Sequence, residues 1–382
     1  MKLVVFCHSL ISDWNHGNAH FLRGVVSELL ARGHAVTVYE PADAWSVRHL
    51  LADHGTAAVT AFHAVYPELT SVRYGAELDL AAALDGADAV IVHEWNDPAL
   101  VARIGQLRAR GGRFALLFHD THHRSVTAPD EIARYDLVHY DGVLAFGRVI
   151  RDLYVERGWA RRAWTWHEAA DVRRFHPLPG TPRERDLVWV GNWGDDERSA
   201  ELHEMLIDPV HALGLRADVY GVRYPDEARQ ALAAAGIAYH GWIANFSAPL
   251  VFARHAVTVH VPRRPYVEAL PGIPTIRMFE ALACGIPLIS APWRDHEALF
   301  TPGADYLVAG DGATMRRLLR AVLRDAELAG ALAAHGRATI LARHTCGHRV
   351  DELLAILAEL GVASAARAPT SSAPKEPSCP LA

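Results

Sequence analysis

The chain carries no excess of basic charge. Its 382 residues hold 38 Lys plus Arg against 44 Asp plus Glu, a formal net charge of −6, which argues against a general nucleic-acid binder with a basic face. Long apolar runs are missing too, and no stretch approaches the roughly 20 residues that a membrane-spanning helix needs. Leu3-Val4-Val5-Phe6, directly after Met1-Lys2, reads as a first strand and is too short for a signal peptide. Cysteine is scarce: Cys7, Cys284, Cys346 and Cys379 are widely scattered. They show neither paired metal spacing nor a disulfide framework, so a cytoplasmic protein with reduced thiols is expected. The glycine fingerprint G-x-G-x-x-G is absent, which disfavours a dehydrogenase.

What remains is an ordinary globular composition, 51% hydrophobic and 21% charged, long enough for two domains with full-sized cores. The first half alternates strand and helix. Lys2 to Phe6 is a strand, His20 to Arg32 an amphipathic helix with Phe21, Val25, Leu29 and Leu30 on its apolar side, and Ala35 to Tyr39 the next strand. Ala87 to His93, Arg113 to Phe118 and Asp141 to Ala145 are further short apolar runs. Strands spaced by helices imply a parallel, doubly wound α/β sheet, whose ligands sit at the carboxyl ends of the strands. The pattern restarts after Leu178-Pro179-Gly180-Thr181-Pro182, a linker by its Pro/Gly punctuation. This divides the chain into a first Rossmann-like domain over 1–177 and a second over 178–345. A helix over 346–362 is expected to follow, and then an Ala/Ser/Pro-rich tail over 363–382 that reads as disordered.

The most informative stretch is Leu270 to Ser290, LPGIPTIRMFEALACGIPLIS. It reads as loop, short helix and buried strand, with Pro274 at a first helical position and Gly285 as the stop. Gly272 and Ile273 lead into the helix, and the free N–H groups from Thr275 onward suit an anion. Glu280, one turn further, can accept hydrogen bonds from a sugar hydroxyl pair; the plain alternative is a Glu280 that faces solvent. A diphosphate at the helix mouth beside a ribose on Glu280 would form one nucleotide site.

The segment PTIRMFEALACGIPLIS resembles the sugar-nucleotide signature of group 1 glycosyltransferases, particularly their spore-maturation (CgeB-like) branch. HSLISDWNHGNA and RGHAVTVYEP resemble that family's first loop and the helix-to-strand turn after it, and WHEAADVRRFHP its interdomain hinge. The resemblance implies a GT-B architecture of two Rossmann-like domains, with a nucleoside-diphosphate-sugar donor on the second and a hydroxyl acceptor, a glycan or small molecule, on the first. It implies no metal, no further cofactor and no nucleic-acid partner, and a last helix that returns to the first domain. It assigns Glu280 to the donor ribose. The commoner pattern carries a second Glu near the donor sugar, and here that position is Gly272.

Around these motifs stand the other candidates. Gly17 permits close backbone approach to the donor or acceptor, and Asp13, Asn15 and His16 bring polar groups to the same loop; a solvated loop would explain His16 equally well. His119-Asp120-Thr121-His122-His123-Arg124 is the densest ionisable cluster. Asp120 or His119 can serve there as general base, with a metal site or a capping Asp120 among solvated histidines as the competing readings. Glu94 and Trp95 are acceptor candidates, Trp95 as a stacking face or as simple interdomain packing. Gly191 and Asn192 follow a strand that opens the second domain. Arg198 is the basic residue for the diphosphate, or else one half of a surface ion pair. Trp242 and Ile243 would border the base, and Arg263, Arg264 or Arg277 would neutralise the departing diphosphate. An epimerase acting on the nucleotide sugar, or a binding protein that has lost catalysis, would share the same fold.

Overall fold

The computed structural model describes residues 1–362, so the expected disordered tail over 363–382 lies outside the described residues. β1 (Lys2–Phe6) is an inner strand of a seven-stranded sheet. Its Leu3, Val4 and Phe6 are fully buried, because helices cover both faces of a parallel sheet. Around it stand β2 (Ala35–Pro41), β3 (Ser71–Tyr74), β4 (Ala89–His93), β5 (Ala115–Asp120), β6 (Gly142–Ala145) and β7 (Ala163–Thr165). The order is β3-β2-β1-β4-β5-β6-β7, with every pairing parallel. The second sheet is made of β8 (Arg185–Val190), β9 (Ala217–Tyr220), β10 (Ala238–Tyr239), β11 (His255–His260), β12 (Leu288–Ser290) and β13 (Leu307–Val308). Its order is β10-β9-β8-β11-β12-β13, again parallel throughout. The doubly wound α/β class expected from the alternating pattern is present twice. In each sheet the winding reverses beside its first strand, between β1 and β4 and between β8 and β11, and a crevice for ligands opens at such a point.

Two local differences matter. The apolar alternation leaves residues 42–86 blank, yet they hold the helix Trp45–Val65, broken at Gly55 (φ 64°, ψ −167°), and β3. That helix buries only Ser46, Val47, Leu50 and Phe62, too thin a stripe to stand out among its alanines. Second, β5 runs on through His119 and Asp120, which pair in register with His93 and Ala145 of the neighbouring strands. The polar letters look like a loop, but the ladder continues.

The chain ends on three helices, Gly312–Arg324, Ala326–Arg343 and Cys346–Glu359, opened by the capping side chains of Asp311, Asp325 and Thr345. The last lies on the first domain. Trp166 Nε1 donates to the Arg349 carbonyl at 2.8 Å, Arg32 Nη2 donates to the Gly347 carbonyl at 3.1 Å, and Cys346 packs on Gly24 of the helix Ala19–Ala31. A Cβ at Gly24 would meet Cys346 Sγ at 2.4 Å and Asp171 Cβ at 2.9 Å. Gly24→Leu is therefore expected to cost about 3 kcal/mol or more through overpacking, read as a lowered Tm; an unchanged Tm would mean that this contact is not made in solution.

Candidate active site between the two sheets

The carboxyl ends of the two sheets face each other across a cavity of about 700 Å³, a size that takes a small ligand. Asn15, His16, Gly17, Trp95, Gly191, Asn192, Arg198, Thr275 and Arg277 all line it. Gly17 sits directly opposite the helix Ile276–Cys284, where a Cβ would meet Ile276 at 3.4 Å. A side pocket of about 90 Å³ shares the wall at Gly191, Asn192 and Arg277, and is bordered by Tyr220, Trp242 and Ile243. Asp13 ties the two domains at this edge. It takes Arg23 at 2.7 Å, Trp242 Nε1 at 3.0 Å and the Asn245 amide at 3.1 Å.

The second-domain wall is cationic. Arg198 is 8% exposed, and its guanidinium donates only to backbone carbonyls, those of Asn192, Trp193 and Val261. Among the described residues no carboxylate pairs with it, because the neighbouring acids are engaged elsewhere. Asp195 binds Arg223 at 3.0 Å, and Glu197 binds Arg263 at 2.8 Å. The surface ion pair is thereby excluded. Burial, and then the nearby Arg263 charge, pulls the Arg198 guanidinium down to about 9. Gly194 makes the fold-back possible: its φ is +84°, and a Cβ there would strike Arg198 Nε at 2.6 Å. A buried cation without a counter-charge, on the wall of a cavity, is chemically suited to an anion.

Several predicted residues lie off the cavity. The helix begins at Ile276 with Thr275 as N-cap in extended conformation, so Pro274 precedes the cap and is not at a first helical position. Ile273 is 2% exposed and packs on Gly147 of the first domain. Gly272 has φ +98°, and a Cβ there would meet Glu297 at 2.9 Å. A second Glu cannot stand at this position, since Glu297 fills the space and accepts from the Arg148 amide at 2.7 Å and His167 Nε2 at 3.0 Å. Glu280 neither faces solvent nor lines the cavity. It is fully buried; Asn245 Nδ2 donates to it at 2.6 Å, Arg277 pairs with it, and His20 Nδ1 lies 3.3 Å away. Because His20 Nε2 accepts the Asp171 amide at 2.9 Å, Nδ1 carries the proton and donates to Asn245 Oδ1 at 3.3 Å, beside Glu280. The carboxylate thus holds Arg277, and Arg277 faces the cavity.

On the first-domain side the expected base moves out of view. Asp120 is fully buried, accepts from Tyr154 Oη at 2.7 Å and from the His122 amide at 3.0 Å, and does not line the cavity. Burial, with Glu94 close by, pushes its carboxyl well above the ordinary range. His119 is sealed among Trp166, His93 and Phe21, at ring distances of 4.8, 5.2 and 5.8 Å, and burial lowers it to about 3. Neither can reach an acceptor, because strand β5 carries both side chains into packed interior. Glu94 is buried as well. It accepts from the Thr121 amide at 2.8 Å and from Arg124 Nη2 at 2.8 Å, and Arg124 in turn lies 4.1 Å over the Trp95 ring. Glu94 therefore supports the cavity wall and does not form it. Among the described residues no group of three or more His, Cys, Asp or Glu is placed to hold a metal ion.

One carboxyl does reach the cavity, and the sequence reading passed over it. Glu168, in the segment that joins the domains, is the sole Asp or Glu on the cavity wall among the described residues. It is 6% exposed, accepts from Asn18 Nδ2 at 3.2 Å, and is raised to about 8 by burial, which outweighs the opposing Asn18 hydrogen bond and is helped by the nearby Glu280. Trp166, Ala169 and Ala170 around it are buried to 1% or less, which pins the backbone and delivers the side chain to the cleft. Two small buried residues after a Glu were the available signal.

Two doubly wound domains facing each other across a ligand-sized cleft define the GT-B architecture. Within this chain, residues 198–355 match the family model described as Glycosyl transferase-like. No curated protein matches the sequence. Among solved structures, the chain is similar to sucrose-phosphate synthase from Thermosynechococcus elongatus at 14% identity and a TM-score of 0.64, over 95% of this chain and 100% of that one. It is similar to HepE of Anabaena in complex with UDP and glucose at 14% identity and a TM-score of 0.63, over 94% and 100%. It is also similar to an α-glucosyltransferase in complex with UDP and a 13-mer DNA at 12% identity and a TM-score of 0.67, over 94% and 99%. At such identities the likeness is one of fold. Among the described residues no helix is long and apolar enough to cross a membrane.

Proposed function

We propose that this protein is a glycosyltransferase that moves a sugar from a nucleoside-diphosphate-sugar donor to a hydroxyl acceptor in the interdomain cleft, without a metal. The observation that carries the reading is Arg198, a buried guanidinium on the cavity wall with no carboxylate partner among the described residues; Arg263 and Arg277 stand on the same wall, each paired with a carboxylate. The unpaired charge of Arg198 suits a diphosphate that gains negative charge as it leaves. The side pocket between Tyr220, Trp242 and Ile243 suits the base. Uracil is the first base to test, since HepE and the α-glucosyltransferase were each solved with UDP. Glu280 is read as a positioning residue that aims Arg277, replacing the direct ribose contact that the resemblance implies.

Glu168 is read as the general base, in place of Asp120 or His119. As the acceptor oxygen bonds to the anomeric carbon, the bond from that carbon to the diphosphate oxygen breaks, and the diphosphate departs with the electron pair. The acceptor proton passes to Glu168. A carboxyl raised to about 8 is well matched to such a transfer near neutral pH.

Thermal shift with UDP, GDP, TDP, CMP and NAD tests the donor site, because a ligand that binds only the folded chain raises Tm. UDP is expected to stabilise the wild type, and Glu280→Gln to lose most of the shift by releasing Arg277. Stabilisation by NAD with none by any nucleoside diphosphate would sink the reading.

A further inference from the structure

The cavity is divided by charge. Every arginine on its wall, Arg198, Arg223, Arg263 and Arg277, comes from the second domain. The first-domain wall contributes no Lys or Arg among the described residues, and is built instead from Trp14, Trp45 and Trp95 with His16, His49 and His122. Two cations that pack behind that wall are already paired. Arg124 is bound by Glu94 at 2.8 Å and covers one face of Trp95, and the fully buried Arg23 is bound by Asp13 at 2.7 Å.

We infer that the acceptor is an uncharged molecule with a flat apolar face, such as the C–H face of an unmodified sugar ring or an aromatic aglycone, and not a phosphorylated sugar or a nucleic acid. This rests on the donor reading above and adds the acceptor's chemical class. The rings form a connected surface. Trp14 stacks on His49 with centroids 4.4 Å apart and planes 11° apart, and it meets Trp45 edge-on at 6.2 Å. Trp45 in turn lies 4.7 Å from His8, and Trp95 meets His122 edge-on at 5.2 Å. Such faces take sugar and aromatic rings. The histidines add uncharged polarity. Burial lowers His16 and His122, which keeps both imidazoles neutral, and His16 Nε2 and His122 Nδ1 are buried with no hydrogen-bond partner among the described residues. Hydroxyl groups both donate and accept, so they can satisfy either tautomer. A phosphate brought against this wall would lose its water and find no Lys or Arg lining it.

Quenching of tryptophan fluorescence reads the site directly, on the free protein and on the protein saturated with UDP. The probes are p-nitrophenyl β-glucoside, glucose 6-phosphate and a short DNA oligonucleotide. The neutral glycoside is expected to bind at least tenfold more tightly than either anion. Trp45→Ala is expected to lose at least tenfold of that affinity with UDP affinity within twofold of wild type, and Trp45→Phe, which keeps a ring, to retain most of it. Tighter binding of glucose 6-phosphate or of DNA would overturn the inference, as would a folded Trp45→Ala with unchanged glycoside affinity. If UDP fails to bind, the donor reading falls separately, while the preference measured on the free protein still decides this one.

Discussion

Glu168→Gln is expected to lower kcat for sugar transfer by about 100-fold or more, the usual scale for removing a general base, with UDP affinity nearly unchanged. Gln keeps the shape and can still meet Asn18, so the fold is retained. The pH profile supplies the sharper signature. With the carboxyl raised to about 8, the active, ionised form is lost as pH falls, so the wild-type rate rises through about pH 8 and then levels. The variant should lack that limb. Stability moves the other way. Below the unfolded carboxyl's ordinary 4.5 both states hold the proton; between there and about 8 only the folded state does. Wild-type stability therefore declines as pH rises through this window, and Glu168→Gln should remove that slope. Full activity with an unaltered pH profile would rule Glu168 out as the base.

Arg198→Met should weaken UDP binding by about 10- to 100-fold, the equivalent of one charge-assisted hydrogen bond at about 1.5–3 kcal/mol. A guanidinium kept only for structure would show its loss first in Tm. Here the charge is buried without a counter-ion, so replacing it by an apolar side chain of similar length relieves a desolvation cost even as three carbonyls lose a donor. The two terms oppose, and the expected pattern is a small change in Tm beside a large loss of UDP affinity. Arg198→Lys retains a cation but not the fork, and should fall between the two. A large fall in Tm with UDP affinity intact would return Arg198 to a purely structural role.

The fold was legible wherever apolar runs and turn residues were enough to define an element. Leu3 to Phe6, the glycine stop at Gly285 and the linker at 178–182 led to two wound sheets because those signals are local. The helix over 45–65 escaped for lack of a wide apolar stripe. His119 and Asp120 read as loop because polar letters at a strand end look the same whether the ladder stops or continues, and only the pairing partners decide. The wall proposed for the diphosphate was legible in outline: Arg198, Gly191, Asn192 and Arg277 do meet at one cavity. Whether Arg198 was paired could not be read, since the acids beside it are claimed by Arg223 and Arg263 from other loops. Glu168 was hidden for a similar reason. A residue in a linker acquires a cavity only when two domains close around it.

The most direct measurement is incubation of the protein with UDP-glucose and p-nitrophenyl β-glucoside, followed by mass spectrometry of both sugar products and nucleotide. UDP should appear in step with a glycoside heavier by one hexose, and only when the acceptor is present. Conversion of UDP-glucose to an isomeric UDP-sugar with no hexose transferred would contradict the transferase reading and point to an epimerase. Tight UDP binding with neither release nor transfer, across UDP-glucose, UDP-galactose and UDP-N-acetylglucosamine, would contradict it in favour of a binding protein.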